Sequence, residues 1–205
     1  MATTAESLQS KGAHTRQAIL DAAIVRFGRE GYRATSVADI ARDASVGGTV
    51  AYAYFADKEA LFLAAIDEDA AAVIQEGVTS AFEENSDLID WRQTLLFTLV
   101  GAVDRHPLAR RLLAGLEPDV TVRVLEIPAL AELRKACAEK LRSEQLAGTV
   151  RDDIDPVAIG NGIVAIMLSL LMSVVQLGPE ATGPYSDDVV AVFAAALDRT
   201  PLPRA

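Results

Sequence analysis

Hydrophobic residues recur at intervals of three and four along almost the whole chain, which is the spacing of one face of an α-helix. In the first clear segment, which begins near residue 14, Ile19, Ala23 and Phe27 form such a stripe, and Gly31 is placed to end the helix. No segment alternates polar and apolar residues over the length of a useful strand. The pattern therefore predicts an all-α fold.

Two short helices joined by a tight turn are predicted next. Ser36 and Asp39 have the spacing of a capping box at the start of a helix over Ser36–Ala44. A turn follows at residues 45–48, and a second short helix is predicted over Gly47–Tyr54. This is the layout of a helix-turn-helix, in which the second helix of the pair enters the DNA major groove.

The rest of the chain predicts a larger helical body, for about nine helices in all. Asp57 is placed to cap the first helix of this body, and Asp155 precedes a proline in the first turn of another. The later helices are predicted over residues 87–104, 108–116, 120–147 with an interruption at Pro128, 156–177 and 187–198. The predicted domains are a flexible N-terminal arm (1–13), a helix-turn-helix domain (14–60) and a larger helical domain (61–205).

Composition supports packed helices and changes the picture of charge. Of the 205 residues, 51% are hydrophobic and only 5% aromatic, which excludes general disorder and disfavours a β-sandwich. The net charge of −10 argues against a generally basic nucleic-acid coat protein. Residues 1–54, however, carry six Lys and Arg against five acids, while the rest carries 13 against 24. A local DNA-binding face therefore remains possible.

Several side chains near the predicted turn suit contacts with DNA. Tyr52 and Tyr54 offer hydroxyls to phosphates while their rings pack, and Lys58 lies in a helix first turn, where backbone N–H groups also favour an anion. The alternatives are core packing for the tyrosines, helix capping for Thr35 and Ser36, and ordinary solvated charge for basic side chains. The predicted DNA-binding residues are Arg16, Thr35, Ser36, Arg42, Gly47, Gly48, Thr49, Val50, Tyr52, Ala53, Tyr54 and Lys58.

Residues 14–66 resemble the DNA-binding region of the tetracycline-repressor (TetR) family of bacterial transcriptional regulators. The resemblance covers about a quarter of the chain and rests on many positions at the family's spacing. These are Ile19, Ala22, Phe27, Gly31, Tyr32, Thr35, Ile40, Ala41, Val46, Tyr52, Tyr54, Phe55, Lys58 and Leu61. It implies a ligand-responsive regulator, most simply a repressor, that binds a near-palindromic operator as a homodimer. A small-molecule effector would release it by pivoting the fourth helix.

The recognition helix departs from the family pattern. Gly47 stands where a small hydroxyl residue is usual, and Gly48-Thr49-Val50 places the Gly-Thr-aliphatic pattern one residue early. Two glycines at a helix start lower its intrinsic stability by roughly 1 kcal/mol each if both are helical. Base readout would then rest on Thr49, on methyl groups of Val50 and Ala53, and on close backbone approach, with DNA shape carrying more of the specificity than usual.

The resemblance implies that residues 61–205 are an effector-binding and dimerisation domain, and we expect a lipophilic small-molecule effector. The segment Val157–Gly178 carries no charge, and a helix buried on all sides inside a protein or an oligomer explains this better than a membrane span. The predicted interface residues are Val164, Leu168, Leu171, Val175, Val189, Phe193 and Leu197. The predicted effector-pocket residues, for which plain core is the alternative, are Phe82, Trp91, Leu95, Leu113, Leu116, Leu133, Cys137 and Met167.

Other chemistries find little support in the sequence. No nucleophile, phosphate-loop or dinucleotide motif is present, so the chain is not expected to be an enzyme or to hold a cofactor. Two histidines and a single cysteine without ligand spacing predict no metal site, and one cysteine fits a reducing cytoplasm. The alternative function is an all-α sensing module that binds a ligand or partner without reading DNA sequence.

Overall fold

A computed structural model describes residues 2–82 and 90–198 of the chain, and within these ranges the all-α prediction is confirmed. The described residues form nine α-helices and one 3-10 helix, which covers Pro118–Glu126. The α-helices are α1 (Ala2–Glu30), α2 (Val37–Asp43), α3 (Ala51–Tyr54), α4 (Lys58–Phe82), α5 (Trp91–Val103), α6 (Pro107–Leu113), α7 (Pro128–Ala147), α8 (Pro156–Leu177) and α9 (Pro179–Leu197).

The chain divides into two compact units. The first comprises Met1–Ala72 and Val103–Val122, and the second comprises Val73–Ala102 and Arg123–Ala205. The predicted helix-turn-helix domain lies within the first unit, whereas the predicted effector domain contributes residues to both. The functional division at residue 60 stays a prediction.

The core of the first unit is built on the apolar stripe of α1. Ile19, Ala23 and Phe27 are fully buried, as are the inward residues of α2 and the start of α4. The Phe62 ring lies 4.8 Å from those of Phe27 and Tyr32, which links α1, the following turn and α4 through aromatic packing.

Helix α6 belongs to the same unit and is held by two features. The Asp69 side chain of α4, only 4% exposed, accepts hydrogen bonds from the backbone N–H groups of Leu108 and Ala109 at 3.0 and 2.8 Å. Its other oxygen lies 2.8 Å from His106 Nδ1. On α1, Gly28 allows the close approach of α6, because a Cβ there would lie 2.7 Å from Pro107 Cβ.

The second unit is a bundle of α5, α7, α8 and α9 with the end of α4. Helices α7 and α8 approach closely at Gly160, where a Cβ would lie 3.1 Å from the backbone N of Ala138. Gly77 similarly gives room to Leu99, whose Cδ2 lies 2.7 Å from the position a Cβ would take. Small residues therefore set the helix spacing in this unit.

Two predicted helix starts were wrong. Helix α1 begins at Ala2 and not near residue 14, so residues 2–13 of the predicted arm are helical. Extending an existing helix requires no new nucleation, and no proline interrupts this segment. Helix α9 begins at Pro179, because proline is tolerated in a first turn, and the helix also accommodates Pro184.

Candidate DNA-binding surface

The α2–turn–α3 segment is a helix-turn-helix whose local geometry follows from its sequence. Ser36 is the N-cap of α2, and its side chain accepts a hydrogen bond from Asp39 N, as the capping-box spacing predicts. The turn closes where Val46 N donates to Ala41 O at 2.9 Å. Ser45 adopts φ of 56°, a left-handed conformation that costs a non-glycine residue about 1–2 kcal/mol.

The predicted recognition helix is shorter than expected. Residues 48–50 form a turn, and only Ala51–Tyr54 are α-helical. Val50 N donates to Gly47 O and Ala53 N donates to Val50 O, so the backbone enters α3 through a tight turn. The glycine pair explains the shortening, since glycine disfavours the helical state.

The predicted base-reading residues are brought together on one exposed segment. Gly47, Gly48, Thr49 and Ala53 are exposed, and Val50 is half-buried. Tyr52 is 57% exposed, whereas Ala51 is fully buried and fixes α3 to the core. The arrangement leaves the turn and one face of α3 free to meet a partner.

The fold of the subunit does not require either glycine. Neither Gly47 nor Gly48 has a positive φ. A Cβ at Gly48 would meet nothing within 4 Å, and one at Gly47 would make ordinary contact with Val50 Cγ2 at 3.5 Å. By contrast, Gly31 has φ of 85° and would place a Cβ 2.3 Å from Arg111 Nη2, so it is structural.

Two predicted phosphate-binding cations are held against aromatic rings. Arg16 Cζ lies 5.0 Å from the centroid of the Phe55 ring, and Lys58 Nζ lies 4.3 Å from that of Tyr32. Cation–π contacts of this kind orient a charge while leaving it available to a further anion. The Tyr54 hydroxyl lies beside α1, 3.7 Å from the position of a Cβ at Gly12.

The exposed edge of α2 carries a hydrogen-bonded set of ionic side chains. Ser36 Oγ donates to Asp39 Oδ2 at 2.6 Å, and Arg42 Nη1 donates to Asp39 Oδ1 at 3.0 Å. The hydrogen bond from Ser36 and the charges of Arg26 and Arg42 hold the pKa of Asp39 below its usual range. On the same helix, Asp43 pairs with Arg26 at 2.6 Å, which lowers the pKa of that carboxyl.

Thr35 is placed differently from the other predicted DNA contacts. It is only 3% exposed, and its hydroxyl donates to Gly31 O at 2.8 Å, which ties the turn after α1 to the start of α2. A phosphate contact by this hydroxyl stays a prediction that would require it to change partner.

The predicted effector-pocket residues fall into two groups. Phe82, Trp91, Leu95, Leu133, Cys137 and Met167 belong to the second unit, and Leu113 and Leu116 belong to the first. In the second unit the Phe82 and Trp91 rings lie 5.4 Å apart. Leu116 is 57% exposed and differs in this from Leu113, which is buried. No contact tests the assignment of this set to a pocket.

Sequence reasoning missed a buried polar cluster beside Trp91. Trp91 Nε1 donates to Glu144 Oε1 at 2.9 Å, and Arg92, only 8% exposed, pairs with Asp90 at 2.7 Å. Arg92 Nε and Glu144 Oε2 find no hydrogen-bond partner among the described residues. No local signal marks this cluster, because Trp91 and Glu144 are 53 residues apart.

The side chains predicted for a dimer interface are mostly interior. Val164, Leu171, Phe193 and Leu197 are buried within the chain itself, so they belong to the subunit core. Leu168, Val175 and Val189 are half-buried. These helices pack on one another inside the chain and bury many of their large apolar side chains. The exposed positions of α8 carry no charge and include both small and large side chains: Val157, Ala158, Asn161, Ala165, Ile166, Ser169, Gln176 and Leu177.

Helix α8 is long and apolar enough to span a membrane by length and composition, with a mean hydropathy of 2.2. Of this window, 33% is buried within the chain, and several further positions are half-buried. In residues 2–82 and 90–198, no three His, Cys, Asp or Glu side chains are grouped as a metal site.

Comparisons with known proteins agree with the geometry of the α2–turn–α3 segment. Residues 19–65 match the family model for bacterial regulatory proteins of the tetR family. No curated protein sequence matches the chain significantly.

Solved structures share the fold over nearly the whole chain. A TetR transcriptional regulator from Chloroflexus aurantiacus J-10-fl has a TM-score of 0.67 at 21% identity, covering 93% of this chain and 100% of that one. A TetR-family transcriptional regulator from Pectobacterium atrosepticum has a TM-score of 0.64 at 18% identity, with coverages of 94% and 98%. A gamma-butyrolactone receptor described as ArpA-like has a TM-score of 0.55 at 22% identity, with coverages of 93% and 91%.

Proposed function

We propose that this chain is a ligand-responsive transcriptional repressor acting in the cytoplasm, since residues 19–65 match the family model for bacterial regulatory proteins of the tetR family. It binds a near-palindromic operator as a homodimer and leaves the DNA when a small molecule binds. The exposed α2–turn–α3 segment carries this proposal, because its outward face holds the predicted base-reading residues while Ala51 fixes it to the core.

Dimerisation is supported by the exposed face of α8. Ala158, Ala165 and Ser169 recur on it at helical spacing, and small side chains allow close packing of a second helix. Gly162 lies next to this face, and a Cβ there would meet nothing within 4 Å of its own chain. A two-fold dimer through α8 and α9 would present two recognition segments to two half-sites of an operator.

An effector in the second unit is supported by similarity and by chemistry. One structural neighbour is a gamma-butyrolactone receptor. In this chain, the predicted pocket residues Leu95, Cys137 and Met167 are apolar, and an apolar lining suits a lipophilic small molecule. Its binding would shift α4 and lower operator affinity, as the resemblance to the family implies.

The test is selection of genomic DNA fragments by the purified full-length protein, followed by gel shifts of the enriched fragments at several salt concentrations. We expect an inverted-repeat sequence to be enriched and to bind more tightly than a scrambled duplex of equal length. An Ala51→Asp variant, which places a charge in the buried anchor of α3, should lose this binding.

The second candidate function, a sensing module that does not read DNA sequence, is favoured by the shortened α3 and its two glycines. It predicts that no inverted repeat is enriched and that any recovered fragment binds no more tightly than a scrambled duplex of equal length. That outcome would overturn the repressor proposal.

A further inference from the structure

On the basis of the proposed DNA binding, we propose that Asp39 is an internal competitor of DNA: its carboxylate occupies the Ser36 hydroxyl and the Arg42 guanidinium that would otherwise hold a phosphate. In this role, one side chain on α2 holds the DNA affinity of the free protein below the value that the helix-turn-helix could otherwise reach.

The geometry of the contact carries the argument. The two oxygens of one carboxylate are divided between two donors, with Oδ2 at 2.6 Å from Ser36 Oγ and Oδ1 at 3.0 Å from Arg42 Nη1. Two non-bridging oxygens of a phosphate present the same pair of acceptors to the same pair of donors. The carboxylate therefore satisfies the donors in the manner of the anion that it would exclude.

The Ser36 hydroxyl can donate its proton either to Asp39 or to a DNA phosphate, but not to both. A serine hydroxyl carries one proton, and here it is donated to Asp39 while the oxygen accepts from Asp39 N at 3.2 Å. A phosphate can accept from this hydroxyl only after the bond to Asp39 breaks. Thus a contact of the Ser36 hydroxyl with DNA requires a rearrangement of Asp39.

Asp39 also competes with DNA for the Arg42 guanidinium. The Arg42 side chain is 73% exposed and reaches solvent, whereas that of Asp39 is 30% exposed. The carboxylate neutralises the guanidinium at the surface that faces DNA, and its own negative charge repels a phosphate. Removing the charge of Asp39 should therefore release Arg42 and remove the repulsion together.

A matched control exists on the same helix. Asp43 is also a carboxylate of α2, but it pairs with Arg26, whose side chain is only 18% exposed. Asp39→Asn and Asp43→Asn each remove one negative charge from α2, so they share the through-space effect on DNA. Only D39N removes the carboxylate that binds Ser36 and Arg42, and the single amide oxygen that remains is a weaker acceptor for these two donors.

The experiment measures binding of the full-length variants to a fluorescein-labelled 30-base-pair duplex of scrambled sequence and to the selected operator, over a series of salt concentrations. We expect D39N to bind both duplexes about two- to fivefold more tightly than D43N, the range for an exposed charged contact. Its plot of log affinity against log salt should be steeper by about one ion released. In an Arg42→Gln background, the advantage of D39N over D43N should shrink to the part that the Ser36 hydroxyl contributes, and the difference in salt slope should disappear.

The outcomes distinguish failure of the Asp39 role from failure of DNA binding itself. Equal affinities and equal salt slopes for D39N and D43N would overturn the role of Asp39, even though the wild type binds DNA. Failure of the wild type and of both variants to bind either duplex would overturn the DNA-binding function itself and the competitor role with it. Urea unfolding of each variant separates affinity from folding, since Asp39 N keeps its bond to Ser36 in D39N.

Discussion

At Gly48 the structure has space for a side chain, although the residue is a glycine. The backbone there is not left-handed, and an added methyl group would meet open space. A glycine here lowers the stability of the isolated chain, because it loses more conformational entropy on folding than alanine would and no contact requires it. Its value must come from what approaches it, which in the proposed function is DNA.

We therefore expect Gly48→Ala to separate stability from binding. The free energy of unfolding should stay the same or rise by up to about 1 kcal/mol, because alanine restricts the unfolded chain. Operator affinity should fall about tenfold, because the new methyl group meets the groove. The measurements are urea unfolding and fluorescence anisotropy with the operator duplex.

Gly101→Ala is the control for this prediction. Gly101 is exposed in α5, and a Cβ there would likewise meet nothing within 4 Å. It should change stability in the same direction and leave DNA affinity unaltered. If G48A binds the operator as tightly as the wild type, close backbone approach at Gly48 is refuted.

Cys137 is a second residue whose surroundings predict a measurable property. Burial raises the pKa of its thiol from 9.0 to about 12. Since thiolate is the reactive form, alkylation at pH 8.5 in the folded protein should be at least about a hundredfold slower than in urea. Reaction at the unfolded rate in native buffer would contradict the buried position.

The same shift gives a pH dependence of stability. The unfolded chain loses the thiol proton near pH 9, whereas the folded chain keeps it until about pH 12. The contribution of the buried Cys137 thiol to the free energy of unfolding is thus fully present below pH 9, and it is lost as the pH rises from 9 to about 12. Cys137→Ala should unfold with a weaker pH dependence between 9 and 11 than the wild type.

At the scale of the elements, one carboxylate joins α4 to α6. The Asp69 carboxylate accepts hydrogen bonds from two backbone N–H groups in the first turn of α6 and contacts His106, all within the first unit. Helix α6 has only seven residues, so it depends on such tertiary contacts for its stability.

Asp69→Ala should accordingly destabilise the protein by about 2–3 kcal/mol, because two buried donors lose their acceptor. Asp104→Ala is the matched control, since its side chain is 72% exposed and its pair with Arg110 is worth less than about 1 kcal/mol. Urea unfolding measures both, and hydrogen exchange at Leu108 and Ala109 locates the effect. Equal losses in the two variants would refute the anchoring role of Asp69.

Local signals predicted the elements whose ends are set by local chemistry. Ser36, Asp57 and Asp155 cap helices as expected, and Gly148 ends α7 with φ of 77°. The start of α9 was missed because Gly178 and Pro179 end one helix and begin the next. The cluster of Arg92 and Glu144 was also missed, since it joins helices distant in sequence and has no local pattern.

The candidate site shows the same limit. Spacing placed Gly48, Thr49 and Ala53 on one exposed segment, as found. It could not show that Thr35 is buried or that Asp39 occupies Ser36 and Arg42, because capping residues look alike in sequence whether their hydroxyls face inward or outward. On α8 and α9 almost every position is apolar, so the sequence does not show which face packs into the core of the chain itself.

At the scale of the whole molecule, the exposed face of α8 predicts the oligomeric state. Ala165→Glu should give a monomer at micromolar concentration in sedimentation velocity, because it sets a charge on the proposed two-fold interface. Ala165 is exposed in the single chain, so the variant should fold. DNA affinity should fall with dimerisation, since the two half-sites are then no longer bound together.

Leu146→Glu is the control for the interface. Leu146 is 92% exposed on α7, outside the proposed α8 face, and its replacement should leave the dimer intact. A monomeric wild-type protein, or an A165E variant that sediments as the wild-type dimer does, would refute the proposed interface.

The position of the chain's single tryptophan has a practical consequence. Trp91 is 4% exposed and bonded to Glu144 in the second unit, while three of the four tyrosines lie in the first. Intrinsic fluorescence excited at the red edge of the indole band therefore reports on the second unit alone. Occupancy of the proposed effector site can thus be followed optically, without a label, while a dye on the DNA reports on the operator in the same cuvette.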